Sequence, residues 1–586
     1  MRTRGWVAAV VLALAAPAAA GPESLEWKRY ESPNFTAYST APQLRTLDYI
    51  VRLERFRDAL GMIFSNLDVA SPVDTTVFVF HNKAAMEPFV PRYNGKPVEI
   101  AGMFAARRDA SFVLIDASGS HDRMPVVYHE YMHSFTKRNL PPLPPWFGEG
   151  IAQCYETFRI EGKTAVLGKA KLELIDYLKQ SPFMPLEQLL AVRYDSPEYN
   201  EGDRRGVFYA ESWALVHFLF WDAGQYRSKV VKFLENLGGG QDQRAAFTAA
   251  FGIEPAALEA EFRRHLERGV YMESVVPLQA REIGTTPQRG PAGKADILSR
   301  LGDLIAHIAP ERPEQSEQLL TAALEAEPGN AVALRALAIV RKDHGKSGEA
   351  KALLEKRLAA EPGDAMAAWN LAALLLGDED TIPRARSLLS AAAGARPQTP
   401  EIAVDYGRSL LAGPPEPSPV DLDGAIGLLD TARKKLRYRA DIVSTEAVLL
   451  AARGNFPSAD ALVTRALTGL GDPKELAWAR ESIDRFRRSQ TANGGKQAAA
   501  GGPGVPPPPD GTGAGPPPPK DTSQDRTQAY NRDVDTFNKA VLLANQRDYA
   551  GALALLEPLY EKTAFSDIKD RVLPLLTDLR QRAPRK

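Results

Sequence analysis

Cysteine is almost missing from this chain of 586 residues: Cys154 is its one thiol, so no intramolecular disulfide can hold it together. A chain this long can rely on a buried apolar core instead. An excess of charge of either sign is missing too. Lys and Arg number 72 against 73 Asp and Glu, a formal net charge of −1. So even a balance implies no nucleic-acid or anionic-membrane partner. Long apolar runs are absent beyond the N-terminus, so no membrane span is expected in the mature chain. The one apolar run, 6–16, follows Arg2 and Arg4 and leads into Ala18-Ala19-Ala20. That is the layout of a secretory signal, residues 1–20, with cleavage between Ala20 and Gly21. A periplasmic or extracellular location is therefore expected, and with Gly21 rather than a cysteine directly after the cleavage site a lipid anchor is not. Apolar content of 44% and charged content of 25% are ordinary for a globular protein.

Against this plain background, residues 128–156 stand out: YHEYMHSFTKRNLPPLPPWFGEGIAQCYE. His129, Glu130 and His133 form H-E-x-x-H. Residues four apart share one face of a helix, so both imidazoles can grip one metal ion. Glu130 lies about 100° round the helix from His129, beside the metal, where a general base for a bound water belongs. Asp122 or Ser120 can cap this helix, and Pro125 suits its first turn. Catalytic zinc commonly takes three protein ligands. The prolines at 141, 142, 144 and 145 force a turn, after which a second helix can bring Glu149 back over the histidines. Cys154, on that helix, reads as a small buried residue rather than a nucleophile.

These residues resemble those of the gluzincin metallopeptidases. H-E-x-x-H matches at His129, Glu130 and His133, and Pro-Pro-Trp-Phe-Gly-Glu-Gly-Ile-Ala at 144–152 is similar to their P-x-W-x-x-E-G-x-A segment. The resemblance spans about residues 27–270 and implies Zn2+, one per chain, held by His129, His133 and Glu149, with Glu130 catalytic. Many members carry an Asp four residues after the ligand Glu to orient a ligand His. Gln153 stands there, so the orienting group differs, and Glu156 or a backbone carbonyl could substitute. Gluzincins also place a Tyr or His opposite the metal as oxyanion donor. Tyr209, in the helical pattern 206–223, is the candidate, against a plain reading as core tyrosine; His217 reads as core, and Glu211 as exposed or capping. Family members pair substrate with the strand before the metal helix, which points to 111–115 and its neighbour as a peptide-binding edge, unless a loop covers it.

Strand patterns at 34–39, 75–80, 102–106 and 111–115, and a helix over 44–63, build the domain before its metal helix. Residues 271–294 read as a Gly/Pro-rich linker. Beyond them the chain turns to Ala/Leu-rich helices. Ala-Glu-Pro-Gly-Asn at 326–330 recurs as Ala-Glu-Pro-Gly-Asp at 360–364, a step of 34 residues, and small Ala350, Ala385, Ala425 and Ala459 keep a similar beat. A period of 34 resembles the tetratricopeptide repeat, over 295–488, whose groove generally receives a peptide or partner helix; the alternative is that the array simply packs against the first domain. Two Pro runs mark 489–525 as a disordered linker, and 526–586 as a last helical unit.

The expected fold class is α+β: a zincin-like metallopeptidase domain with a small mixed sheet and an HExxH helix, followed by an all-α repeat solenoid. The expected function is an exported zinc peptidase acting on a peptide or protein substrate, with a repeat arm for recruitment. The competing expectation is a non-enzymatic cell-envelope scaffold with a structural or vestigial metal site.

Overall fold

Side chains of a strand alternate between two faces, and in Thr75–Phe80 and Ser111–Asp116 both faces are buried. Strands with no wet side need cover on both. The computed structural model shows what covers each face; it describes residues 25–278 and 286–497 apart from short gaps, then Tyr549–Lys562 and scattered positions. The signal segment 1–20, Ser120 and most of the 489–525 linker lie outside the described residues.

The strands are β1 Lys28–Glu31, β2 Phe35–Ser39, β3 Thr75–Phe80, β4 Arg92–Tyr93, β5 Lys96–Pro97, β6 Gly102–Ala106, β7 Ser111–Asp116, β8 Arg159–Glu161, β9 Thr164–Leu167, β10 Ser274–Pro277 and β11 Thr286–Pro291. Six form one mixed sheet in the order β11-β1-β2-β3-β7-β6. β2, β3 and β7 are parallel, while β1, β6 and β11 run antiparallel to the strands they join. β8, β9 and β10 make a small second sheet. The stretch 271–294, expected to be a linker, thus supplies one strand to the large sheet and one to the β8–β9 sheet. Its Pro and Gly content hid them, since β11 carries both residues yet still pairs at an edge.

The helices of the first half are α1 Gln43–Ile63, α2 Lys83–Met86, α3 Met124–Asn139, α4 Pro145–Glu156, α5 Leu172–Gln180, α6 Leu186–Ala191, α7 Pro197–Asn200, α8 Gly202–His217, α9 Arg227–Gly238, α10 Gln243–Phe251 and α11 Pro255–Arg268. On one face of the large sheet Ala37, Val77, Val79, Val113 and Ile115 share a core with Leu53 and Phe56 of α1 and Val127 and Met132 of α3. Small and β-branched residues on this face let two helices lie close.

Repeat helices cover the other face. They are α12 Lys294–Ile308, α13 Pro313–Ala326, α14 Ala331–Asp343, α15 Ser347–Ala360, α16 Ala365–Leu375, α17 Ile382–Ala395, α18 Pro400–Leu410, α19 Pro419–Lys435, α20 Ala440–Ala452, α21 Phe456–Leu467 and α22 Pro473–Gln497. Tyr38, Phe78, Phe80, Phe112 and Leu114 pack against Leu301, Leu304 and Ile305 of α12, Leu320 of α13 and Leu337 of α14. Each buried side chain of this size contributes about 1.5–3 kcal/mol. Several together outweigh the polar contacts around them, and residues up to Ala499 form one compact unit.

The repeated Ala-Glu-Pro-Gly-Asn/Asp has a local cause. Asn330 and Asp364 are N-caps whose side chains accept from the Ala333 and Ala367 amides. Ala350, Ala385, Ala425 and Ala459 are fully buried, as close-packing positions of stacked hairpins must be. Gly407 serves the same end: a Cβ there would lie 2.9 Å from side-chain atoms of Leu449 and Thr445. α22 continues to Gln497, past the expected end of the array at 488. In the second unit, 500–586, α23 (Tyr549–Lys562) buries Ala552 and Leu556 with Val572 and Leu576.

Candidate metal centre

α3 begins where Asp122 accepts from the Met124 amide at 3.0 Å and Pro125 fills the first turn. α4 begins at Pro145 after the proline run and packs back along α3, and Glu149 sits within it. The glycine after Glu149 has a steric reason. A Cβ on Gly150 would sit 2.5 Å from Val216 and collide with the Ser212 carbonyl, so α8 approaches α4 only because Gly150 lacks one.

This packing brings His129, His133 and Glu149 together. His133 Nε2 lies 3.0 Å from His129 Nε2, and Glu149 Oε2 lies 3.4 Å from the first imidazole's Nε2 (His129) and 3.5 Å from the second's. With metal–ligand bonds of about 2.0–2.2 Å, neighbouring ligand atoms of a tetrahedral site stand about 3.3–3.5 Å apart. The two imidazole–carboxylate gaps match this spacing and the 3.0 Å between the imidazoles is somewhat tighter, and the donor set of two imidazoles and a carboxylate suits zinc.

Surrounding groups fix the ligands. Glu156 Oε1 lies 2.6 Å from His129 Nδ1, so that nitrogen carries the proton and Nε2 presents its lone pair. Of the two groups expected to orient a ligand His in place of position 153, Glu156 is the one that meets His129. Its other oxygen accepts from Lys171 at 2.6 Å. Gln153 instead donates to the Tyr209 carbonyl at 2.8 Å, tying α4 to α8. Tyr199 Oη donates to Glu149 Oε1 at 2.9 Å, which leaves Oε2 to face the histidines.

The electrostatics call for positive charge at this point. Burial opposes ionisation of Glu149, but His129 and His133 outweigh it and hold the carboxyl down at about 2. Burial also opposes a charge on His129, yet Glu149 and Glu156 raise it to about 9. Glu130 is half-buried, and among the described residues no side chain hydrogen-bonds or pairs with it. That leaves its carboxylate available to a water.

Tyr209 does not stand alone. Its ring lies 6.0 Å from that of Tyr199, which in turn lies 5.3 Å from Tyr194, so three tyrosines gather beside Glu149. Sequence reasoning missed Tyr199 because it falls in Asp-Ser-Pro-Glu-Tyr-Asn, which has no periodicity to read. Lys171 was missed for want of any motif.

His217 is buried between Asp222, 2.8 Å from Nδ1, and the Gly168 carbonyl, 2.6 Å from Nε2, a packing role away from the metal ligands. Glu211 is not exposed; it is fully buried, accepts from the Met184 amide at 2.6 Å, and burial raises its carboxyl to about 8. Cys154 is buried and its thiol pushed well up by burial, which suits no nucleophile. Of the two strands expected at the substrate edge, 111–115 is interior as β7, and its hairpin neighbour β6 is the one at the end of the sheet. The array, expected either to take a partner or to pack against the first half of the chain, does contact that half: Arg108 lies over Trp369 at 4.3 Å, and Arg396 pairs with Asp74 at 3.1 Å.

No protein-family model matches the chain, and no curated protein does. Among solved structures, a MamA structure is similar at 20% identity, covering 30% of this chain and 96% of its own, with a TM-score of 0.25. YrrB, described as a TPR protein with an unusual peptide-binding site, is similar at 19% identity over 32% of this chain and 92% of its own, with a TM-score of 0.27. These spans are about a third of the chain, and the reading of the metal centre rests on its own residues.

Proposed function

We propose that this chain is an exported zinc-dependent peptidase in which His129, His133 and Glu149 hold one ion and Glu130 is the general base. One observation carries the reading: three ligand atoms close to tetrahedral spacing with an unpaired carboxylate next in sequence to one of them. A bound zinc would supply Lewis acidity, polarising a scissile carbonyl and bringing the pKa of a water to roughly 7. Glu130 takes the proton of the attacking water and returns it to the leaving amine. Glu156 keeps His129 in the tautomer a metal needs, and Tyr199 keeps Glu149 from turning both oxygens inward. Tyr209, in the same tyrosine cluster, is the candidate donor to the oxyanion. Cleavage of a mixed peptide library, abolished by a chelator and restored by Zn2+, tests the reading.

The second reading is a non-enzymatic envelope scaffold with a structural or vestigial metal site. The array favours it: stacked helix hairpins occupy α12 to α22, an architecture generally used to bind protein partners. Under this reading the library stays intact while the chain still takes up metal.

A further inference from the structure

The hairpin turn joining β6 to β7, residues 107–110 (Arg-Arg-Asp-Ala), projects into the face of the array formed by the first helices of its hairpins. Each of its three polar residues is met there. Arg107 Nε donates to the His307 carbonyl of α12 at 2.9 Å. Arg108 stacks on Trp369 of α16, with its guanidinium 4.3 Å from the ring centroid, and pairs with Asp405 of α18. Trp369 Nε1 donates to that same Asp405 at 2.6 Å, so the aromatic platform and the acid are locked together. Asp109 accepts from His307 Nε2 at 2.9 Å and from Asn370 of α16 at 3.4 Å. Three repeat helices thus read one turn, residue by residue, as such arrays read a peptide.

We propose that this face is a receptor for the chain's own 107–110 turn, and that by gripping it the array fixes edge strand β6 beside the metal helix. β6 is the end of the sheet, with no strand beyond it among the described residues. It also lies directly on α3: a Cβ on Gly102 would stand 3.1 Å from Val127, and Phe104 meets Tyr131 at 4.9 Å between ring centroids. Val127 and Tyr131 flank His129 and Glu130 on the same helix. The far end of α3 is held by the array too, where Arg138 donates to the Gln398 carbonyl at 3.4 Å. Resting on the peptidase reading, the array then acts on its own catalytic half by keeping the edge against which an extended substrate pairs. A protein presenting an arginine at the tip of a tight turn, with an acid beside it, would compete for Trp369 and Asp405. It would loosen β6 rather than be delivered to it.

Hydrogen exchange on the full chain tests this, comparing the wild type with Arg108→Ala at the exposed tip and Asp405→Asn in the array. Each variant is expected to raise exchange of the 102–106 amides about tenfold while those of β3 stay at the wild-type rate. With a peptide substrate, KM should rise by about the same factor with kcat nearly unchanged. Wild-type exchange in β6 of both variants would overturn the clamp, and raised exchange with an unaltered KM would overturn its role in substrate pairing. A wild-type chain that cleaves no peptide defeats the peptidase reading, and the exchange result then decides the clamp by itself.

Discussion

The two faces of the large sheet are built on opposite principles. Towards α1 and α3 it presents Ala37, Val77, Val79, Val113 and Ile115; towards the array, Tyr38, Phe78, Phe80, Phe112 and Leu114. The first face carries the candidate centre, whose proposed chemistry depends on a few polar atoms 3.0–3.5 Å apart. The second spreads its binding over many apolar contacts, none of which is individually decisive. Chemistry on the metal side should therefore fail at single atoms, and stability on the array side should decline by increments.

Glu130→Gln should have the most severe effect on the metal side. Peptide cleavage should fall by about 100- to 10,000-fold, the usual size of a general-base contribution. Metal content should be unchanged; equal turnover in mutant and wild type would remove Glu130 from its role. On the opposite face, Leu304→Ala leaves a hole under the aromatic strands and should cost about 2–5 kcal/mol. Because α12 shares its core with the sheet, calorimetry should show one lowered transition for both halves. Two separate transitions, with the metal half unmoved, would mean the halves fold apart.

Glu211 gives a pH signature to the metal-side half. Its carboxyl stands at about 8 in the fold against the ordinary 4.5, so the native state holds this proton more tightly than the unfolded chain. Its contribution to stability is full below 4.5 and is lost as pH rises through about 8. Glu211→Gln should match the wild type near pH 4 and exceed it near pH 9 by on the order of a few kcal/mol. Urea unfolding at both pH values checks this, and parallel curves would contradict it. The smallest effect is sought at Gly150→Ala, where the new methyl pushes α4 from α8 at about 1–3 kcal/mol. Metal affinity should fall with it, since Glu149 rides on α4; unchanged affinity would show that the ligand adjusts on its own.

The centre was legible because its geometry is local. His129 and His133 are tied by helix periodicity, and the proline run leaves little choice about where Glu149 returns. Glu156 was within reach of the same reasoning, being on that returning helix. Tyr199 and Lys171 arrive from segments whose positions depend on tertiary packing, and no spacing announces them. In the fold, β3 and β7 were readable as strands, yet Val-Phe-Val-Phe also says that both sides are covered. What covers the second side lies some 200 residues on, in α12 to α14, and pattern within a strand cannot name its partner. The strands in 271–294 were lost because edge strands tolerate the residues that mark linkers.

Elemental analysis of the purified full chain beside Glu149→Ala tests the central claim most directly. The account predicts one zinc per chain in the first and loss of that ion in the second, with the fold retained by circular dichroism. A wild-type chain that takes up no divalent cation, or a variant that keeps it in full, would contradict it.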